Sequence, residues 1–519
     1  MSEIPDGPDT GSEETHKWRA FTAIAISFVV MVFSMTMVFV SMDAIAEDFG
    51  VTLRAVSWVV IVQSLVISAL MLPMGRVADI VGRRNVHLVG LVLFFFGSLF
   101  VALAPTFETM IAARVVMAVG NAMGQAVGTA MIVSVFPSHE RGKALGSQTS
   151  VVAIGAAMGP IIGGFVLQAF PWETLFLMLL PPVAVSFVAG YLFLDASVED
   201  RSERQVADTS AGFDWGGALL SALAITGLVL VASNPMAWGW TSPPTLAGLA
   251  AVVAVAVAFV RWELRRPVPM LQLRLFTNPT FAMAVTSRTL GFVGYTAVSF
   301  LMPIFLISVR GLREGATGGV LFLTSLGMGL AANQAGRSAD RLGEAPLFLA
   351  GFSIHVLAIA GLGFVTADSP MWLVMVLLFG SGLALGLWNV PNGSAILGSV
   401  PSHHLGVVGA FMNLTRNLGN VVGQALATAV VVGIMASDGY DIPLSEIAGD
   451  PGAIAAFVRG GRMAYLVVTV LSIVALGLAW KTRPSSAAAE PAAAPALPAP
   501  EVVTVGSGIE GAIPNQRAR

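Results

Sequence analysis

The sequence predicts an all-α membrane protein of fourteen transmembrane helices, set out as two similar six-helix halves with two further spans between them. Three observations carry that prediction. Hydrophobic residues make up 56% of the 519 and charged residues only 11%, with a mean hydropathy of +0.82. A water-soluble domain carries about 25% charged residues, so most of this surface is built to meet lipid. The apolar residues gather into runs of about 20, the length that crosses a hydrocarbon core roughly 30 Å thick. Finally, the charged stretch Gly75-Arg-Val-Ala-Asp79-Ile-Val-Gly82-Arg83-Arg84, after the second run, returns as Gly336-Arg-Ser-Ala-Asp340-Arg-Leu-Gly343 after the tenth.

The elements follow in order. Residues 1–19 form an acidic, polar start, expected as a cytoplasmic tail. The first apolar run, 20–42, is longer than a signal-peptide core and is followed by no small-residue cleavage site, so it is read as a retained span. Spans 2 to 6 fall at 56–74, 86–104, 109–135, 145–170 and 174–194 and complete a first half over 20–194. Residues 195–214 are the longest polar connection before the last spans and read as a cytoplasmic linker. Spans 7 and 8, at 215–233 and 244–262, form an insert over 215–262. Spans 9 to 14, at 281–306, 315–335, 346–366, 370–397, 405–435 and 461–480, make a second half over 263–480. The last stretch, 481–519, is rich in Ala and Pro; it cannot bury enough apolar surface to offset its chain entropy and is expected to be disordered.

The insert is located by an internal repeat. Pro137-Ser-His-Glu-Arg-Gly142 matches Pro401-Ser-His-His-Leu-Gly406 at an offset of 264, against 261 for the two charged stretches. Spans 1–6 therefore map onto spans 9–14, and such duplication is how many transport machines are built. Orientation follows from Lys and Arg. With the N-terminus inside, seventeen of them, from Lys17 and Arg19 to Lys481 and Arg483, fall on the inner side. Only Arg54, Arg310, Arg313, Arg459 and Arg462 fall on the outer side, so both termini are expected in the cytoplasm.

Several function classes drop out. The chain has no cysteine, hence no disulfide and no thiolate metal site. A net charge of −3 argues against nucleic-acid binding. No glycine loop followed by Lys-Ser/Thr offers a phosphate cradle for ATP. No nucleophile–base set or metal-ligand spacing stands out, so no enzyme activity and no cofactor is expected. The expected partners are the lipid bilayer and a small amphipathic solute, with the chain acting as a monomer.

The charged stretch has a physical reading of its own. Gly75 and Gly82 permit close helix approach and a tight turn. Asp79 can cap a neighbouring helix or pair with Arg83, Arg84 or Arg141 at the inner surface. Such a cluster locks the halves on one side and must break for that side to open; alternatively Arg83 and Arg84 only anchor the topology. Gly155, Gly159 and Gly163 on span 5 recur every four residues, giving a face without side chains for close packing in lipid. Pro160 bends that helix.

These stretches resemble the major facilitator superfamily. The span 2–3 connection resembles its signature G-x-x-x-D-R-x-G-R-[RK]. Gly155-Ala-Ala-Met-Gly159-Pro160-Ile-Ile-Gly163-Gly164 is similar to its antiporter signature. Fourteen spans, Phe213-Asp-Trp-Gly opening span 7, and Trp238-Gly-Trp before span 8 resemble its QacA/EmrB-like drug:proton antiporter branch. The resemblance covers roughly residues 20–480. It implies the major facilitator fold and alternating-access export driven by a proton gradient. It also implies a plasma-membrane location and a sealing role for the span 5 glycine face.

Ionisable residues inside spans are costly and so are functional candidates. Arg114 lies in Arg114-Val-Val-Met-Ala-Val-Gly120, which resembles the family's span 4 signature and implies a part in proton transfer. Arg416 on span 13 and Arg288 on span 9 complete the set. The branch's span 1 pattern, L-D-x-T-I-V-N-V-A-L-P, meets Phe33-Ser34-Met35-Thr36-Met37-Val38-Phe39-Val40-Ser41-Met42-Asp43, so Ser34 stands at the aspartate position. No Asp or Glu is expected deep in any span, and Asp43 or His355 is the available substitute for proton exchange. Thr36, Gln63, Asn121, Gln125, Gln148, Asn389, Asn413 and Gln424, with Trp388, Tyr295 and four methionines, are expected cavity-wall or core residues. The all-Arg buried charge tilts the expected cargo toward neutral or anionic apolar compounds. An exporter not coupled to protons, or a translocator of lipids or cell-envelope precursors, stands as the alternative.

Overall fold

A computed structural model describes residues 10–137, 140–194, 213–234, 238, 242–266, 269–400, 405–440, 444, 447 and 449–481. Most of the expected linker, residues 195–212, and the tail from 482 lie outside the described residues. So do the side chains of Arg141 and Asp340, although both backbones are helical. Among the described residues, fourteen helices are long and apolar enough to cross a membrane. We number them α1 to α14.

The first half comprises α1 (Thr10–Thr36, broken at Met37 and resuming at Val38–Phe49), α2 (Leu53–Val81), α3 (Arg83–Ala102), α4 (Phe107–Val135), α5 (Arg141–Leu167) and α6 (Glu173–Leu177 continued by Leu180–Phe193). The insert is α7 (Trp215–Ser233) and α8 (Pro243–Arg265). The second half comprises α9 (Pro279–Ile304, ending in a π turn over Phe305–Val309), α10 (Glu314–Leu342), α11 (Glu344–Leu362), α12 (Met371–Gly398), α13 (Leu405–Ser437) and α14 (Pro451–Lys481).

Polar residues set the starts. Thr52 accepts from Ala55 N ahead of α2, Thr106 and Thr109 form a reciprocal capping box on α4, and Asp214 and Asn278 cap α7 and α9. The charged stretch after span 2 is not the turn expected. Gly75 to Val81 are the last turns of α2, and only Gly82 separates that helix from α3. An apolar-run rule ends a span at its first charge, whereas a helix runs on past the bilayer wherever its backbone can stay hydrogen-bonded. Gly82 breaks the ladder at φ +99°, and Gly343, 261 residues on, does the same between α10 and α11 at φ +82°.

The packing repeats with the sequence. α1 lies against α4, α5 and α6, while α9 lies against α12, α13 and α14. α4 is flanked by α2 and α3, as α12 is by α10 and α11. The halves meet through α2 on α13 and, symmetrically, α5 on α10; α7 packs on α8, α2 and α13. Within each half, close approach depends on glycine. A Cβ on Gly97 of α3 would fall 2.6 Å from Met117 Cα on α4. Gly97→Ala is therefore expected to force these helices apart and cost about 1–3 kcal/mol, read as a lower thermal-unfolding midpoint in detergent. An unchanged midpoint would refute the contact.

The apolar core shows how the halves sit. One cluster draws on α2, α4, α5, α7, α9, α10, α12 and α13 at the end where α2 meets α3, here called the hinge face. Toward the opposite face the clusters separate. One holds only residues from the second half, such as Leu301, Leu362 and Phe457; the other holds only first-half residues, such as Met37, Val59 and Phe176. The halves are joined on the hinge face and parted on the other.

Candidate substrate path and its buried arginines

At the hinge face Asp79 pairs with Arg83 one turn on (3.5 Å), and Arg83 is buried. Arg84 does not join them. Its Nη2 donates to the Tyr191 carbonyl (2.8 Å) and its guanidinium lies 5.3 Å from the Tyr191 ring, tying α3 to α6. Glu140, unnoticed within Pro137-Ser-His-Glu-Arg-Gly, pairs with Lys17 (2.8 Å) and Lys143 (3.8 Å), fastening α1 to α5. Backbone of the two halves approaches closely here: a Cβ on Gly336 of α10 would fall 2.8 Å from Gly142 C and 3.3 Å from Gly146 Cα on α5.

The α5 glycine face packs inside its own half. A Cβ on Gly155 would fall 2.8 Å from Val29 O, and one on Gly159 2.6 Å from Thr36 Cβ, where α1 breaks. Gly163 makes ordinary contacts, Gly164 has open space, and Pro160 is exposed.

Arg114 sits fully buried beside that break. Its Nη2 donates to the Ser34 carbonyl (3.3 Å) and to Gln63 Oε1, its Nη1 to Met117 Sδ (3.2 Å), and it lies 5.3 Å from the Phe176 ring centroid. The Ser34 hydroxyl turns back to Met31 O (2.7 Å). Thus the residue at the branch's aspartate position holds Arg114 through its backbone.

A second polar chain crosses between the halves. Asn121 leads through Gln125 Nε2 (2.6 Å) to Arg416, whose Nη2 donates to Gln125 Oε1 (2.6 Å). Asn413 Nδ2 reaches the Gln125 carbonyl (2.9 Å) and Thr129 (3.2 Å), and Gln148 donates to Thr129 (2.8 Å). Asn389 donates to Thr149 (3.3 Å) and accepts from Arg288 Nη1 (2.7 Å). Arg288 also reaches Met412 O (3.4 Å) and lies 5.1 Å from the Phe292 ring. At 6% exposed it does not snorkel to the surface. Among the described residues no carboxylate is hydrogen-bonded or ion-paired to Arg114, Arg288 or Arg416.

The other candidates lie outside this chain. Asp43 is exposed on the part of α1 beyond its break, away from the hinge face. His355 is fully buried, and neither ring nitrogen has a side-chain partner. It packs by Trp388, itself stacked on Phe352 at 4.9 Å, in an aromatic cluster with Phe292. Gln424 is exposed. One buried carboxylate lies just beyond the expected spans: α8 extends past 262, and Glu263 in its last turn is 2% exposed.

A helical bundle with two like halves and buried cations on a polar chain that crosses between them is the architecture of a membrane transporter. A profile of the Major Facilitator Superfamily matches residues 22–424, and the chain belongs to that family. It is 31% identical over 409 residues to the riboflavin transporter RibZ of Clostridioides difficile, covering 79% of this chain and 87% of RibZ. It is 28% identical over 434 residues to the methylenomycin A resistance protein of Streptomyces coelicolor, covering 83% and 88%. The structure of the proton:xylose symporter XylE superposes with a TM-score of 0.64 at 14% identity, over 91% of this chain and 97% of that one. The protein is a fourteen-helix transporter and not an enzyme.

Proposed function

We propose that this protein exports amphipathic small molecules from the cytoplasm by alternating access, drawing on the proton gradient, and prefers neutral or anionic apolar compounds to cations. The observation that carries the preference is the pair Arg288 and Arg416 on the polar chain between the halves, with no carboxylate partner among the described residues. A buried cation without a counter-ion repels a cationic solute and welcomes an anion or a polar acceptor. Of the relatives, one is named for riboflavin, a neutral planar heteroaromatic, and one for resistance to methylenomycin A. With the hinge face as the cytoplasmic one, as the Lys and Arg distribution suggests, the parted side faces outward. The plasma membrane, with both termini inside, is the setting.

The test compares a fluorescent lipophilic anion, a lipophilic cation and riboflavin in everted vesicles, with and without an uncoupler. Wild type is expected to favour the anion and riboflavin over the cation, and the uncoupler to abolish their transport. Arg416→Ala is expected to lower anion transport about tenfold, the value of one hydrogen bond to a charged group, and so to lower the anion-to-cation ratio. Equal handling of anion and cation by wild type, unchanged in Arg416→Ala, would overturn the preference. Transport insensitive to the uncoupler would remove the proton gradient from the reading.

A further inference from the structure

The one carboxylate buried in a span-length helix among the described residues lies away from the arginine path, on the inserted pair. Glu263 Oε2 accepts from Leu271 N (3.1 Å), which pins the segment after α8, while Glu263 Oε1 has no hydrogen-bond partner. Asp214 stands beside it. Its Oδ1 accepts from Gly217 N (3.0 Å) as the cap of α7, and Trp262 Nε1 donates to both its oxygens (3.0 and 3.3 Å). The two carboxylates converge over Gly217. A Cβ there would fall 2.6 Å from Asp214 Oδ2 and closer still to Glu263 Oε1, so only glycine lets them approach. Gly216 leaves room for the Trp262 ring in the same way.

Hydrogen-bond supply falls short of demand here. Leu271 N serves Glu263 Oε2, the Met270 amide lies beside the same carboxylate, Gly217 N and Trp262 Nε1 serve the Asp214 oxygens, and Glu263 Oε1 itself has no hydrogen-bond partner. The charged groups acting on Glu263 are Asp214 from α7 and Arg266 from the end of α8. Arg266 lies 3.9 Å from Asp214 Oδ1 and over the Trp262 ring at 4.3 Å, half-exposed. The 269–277 segment contributes backbone amides, and its Arg274 is exposed. Two negative charges thus face one solvated cation, and a proton on Glu263 Oε1 would make that oxygen a donor and balance the charge.

We propose that Asp214 and Glu263 bind one proton between them, making the hinge-face end of the inserted helices a proton site. Its position gives it leverage. α7 packs on α2 and α13, and Ala218, Ile225 and Val229 of α7 join Met270 and Leu271 in the core shared by both halves. Loss of the proton sets like charges against each other at the start of α7 and at the anchor of Leu271, loosening helices that must slide when the hinge face opens. That use rests on the transporter reading; the proton site does not.

Infrared difference spectra of the full-length protein in lipid nanodiscs, between mildly acid and mildly alkaline buffer and without substrate, test the site. Wild type is expected to show the carbonyl stretch of a protonated, unhydrated carboxyl group, shifted in D2O. Glu263→Gln, which keeps the acceptor for Leu271 N, is expected to lose that band, and Glu140→Gln to keep it. Asp214→Asn, which retains the helix cap, is expected to shift its pH midpoint. No such band in wild type, or a band unchanged in Glu263→Gln, overturns the proposal and leaves the transport reading standing. In vesicles, the dependence of transport on hinge-side pH is expected to flatten in Glu263→Gln while transport itself persists. An unaltered dependence overturns the leverage.

Discussion

Gly336→Val is expected to abolish transport while the protein still folds and reaches the membrane. Gly336 lies at the hinge-face end of α10, with Gly142 and Gly146 of α5 as its backbone neighbours. In lipid, helices associate through close packing, and small residues at the crossing set how near two backbones come. A branched side chain here cannot be absorbed by rotating a flexible neighbour, because what it meets is main chain. The contact lies between the halves, so each half can still pack its own six helices, and the cost falls on the hinge-closed state alone. Because the chain has no native cysteine, paired spin labels can be placed without background. Labels replacing Lys143 and Arg337 should move apart in Gly336→Val, and labels replacing Phe165 and Ala316 on the opposite face should draw together. Wild-type transport and distances in the variant would show that the α5–α10 contact is not the closure.

Gln63→Leu and Arg114→Leu are each expected to destabilise the first half, and the double variant to recover much of the loss. Arg114 is fully buried and its one side-chain oxygen acceptor is Gln63. Removing Gln63 leaves a buried charge held by a single carbonyl and a thioether, a loss of about 1.5–3 kcal/mol. Removing Arg114 leaves a neutral amide and the Ser34 carbonyl short of a donor, about 1–3 kcal/mol for each unsatisfied group. Replacing both by apolar side chains removes charge and demand together. A thermal-unfolding series on the four proteins reads the cycle; additive losses would mean that the pair is not coupled. Transport separates a further role, since a stable double variant that still moves substrate would make Arg114 architectural.

The span count, the duplicated halves and the place of the insert were legible in the sequence, because each rests on a local rule. About 20 apolar residues span a bilayer, and a repeat keeps its register however the helices pack. Gly82 and Gly343 were legible too, as glycines ending helices at equivalent positions. Partner choice was not. Arg84 turns to Tyr191 rather than Asp79, and the α5 glycine face receives the break in α1 rather than the other half. Arg288 ends 2.7 Å from Asn389, 101 residues away, and Arg416 2.6 Å from Gln125, 291 residues away. Such pairs depend on helix rotation and depth, and no spacing along one helix encodes either.

Glu263 marks the boundary between the two kinds of information. On a hydropathy scale it is a charge just past the end of span 8, indistinguishable from Arg265 and Arg266 beside it. Its burial follows from α8 running on toward Arg265 and from Leu271 folding back to cap its carboxylate. The sequence by itself determined that this chain spans the membrane fourteen times in two related halves, since lipid forces every backbone group into a helix. Which charges those helices hide, and beside what, the tertiary packing alone decided. Burial of a polar group is stable only where other elements bring the donors it needs.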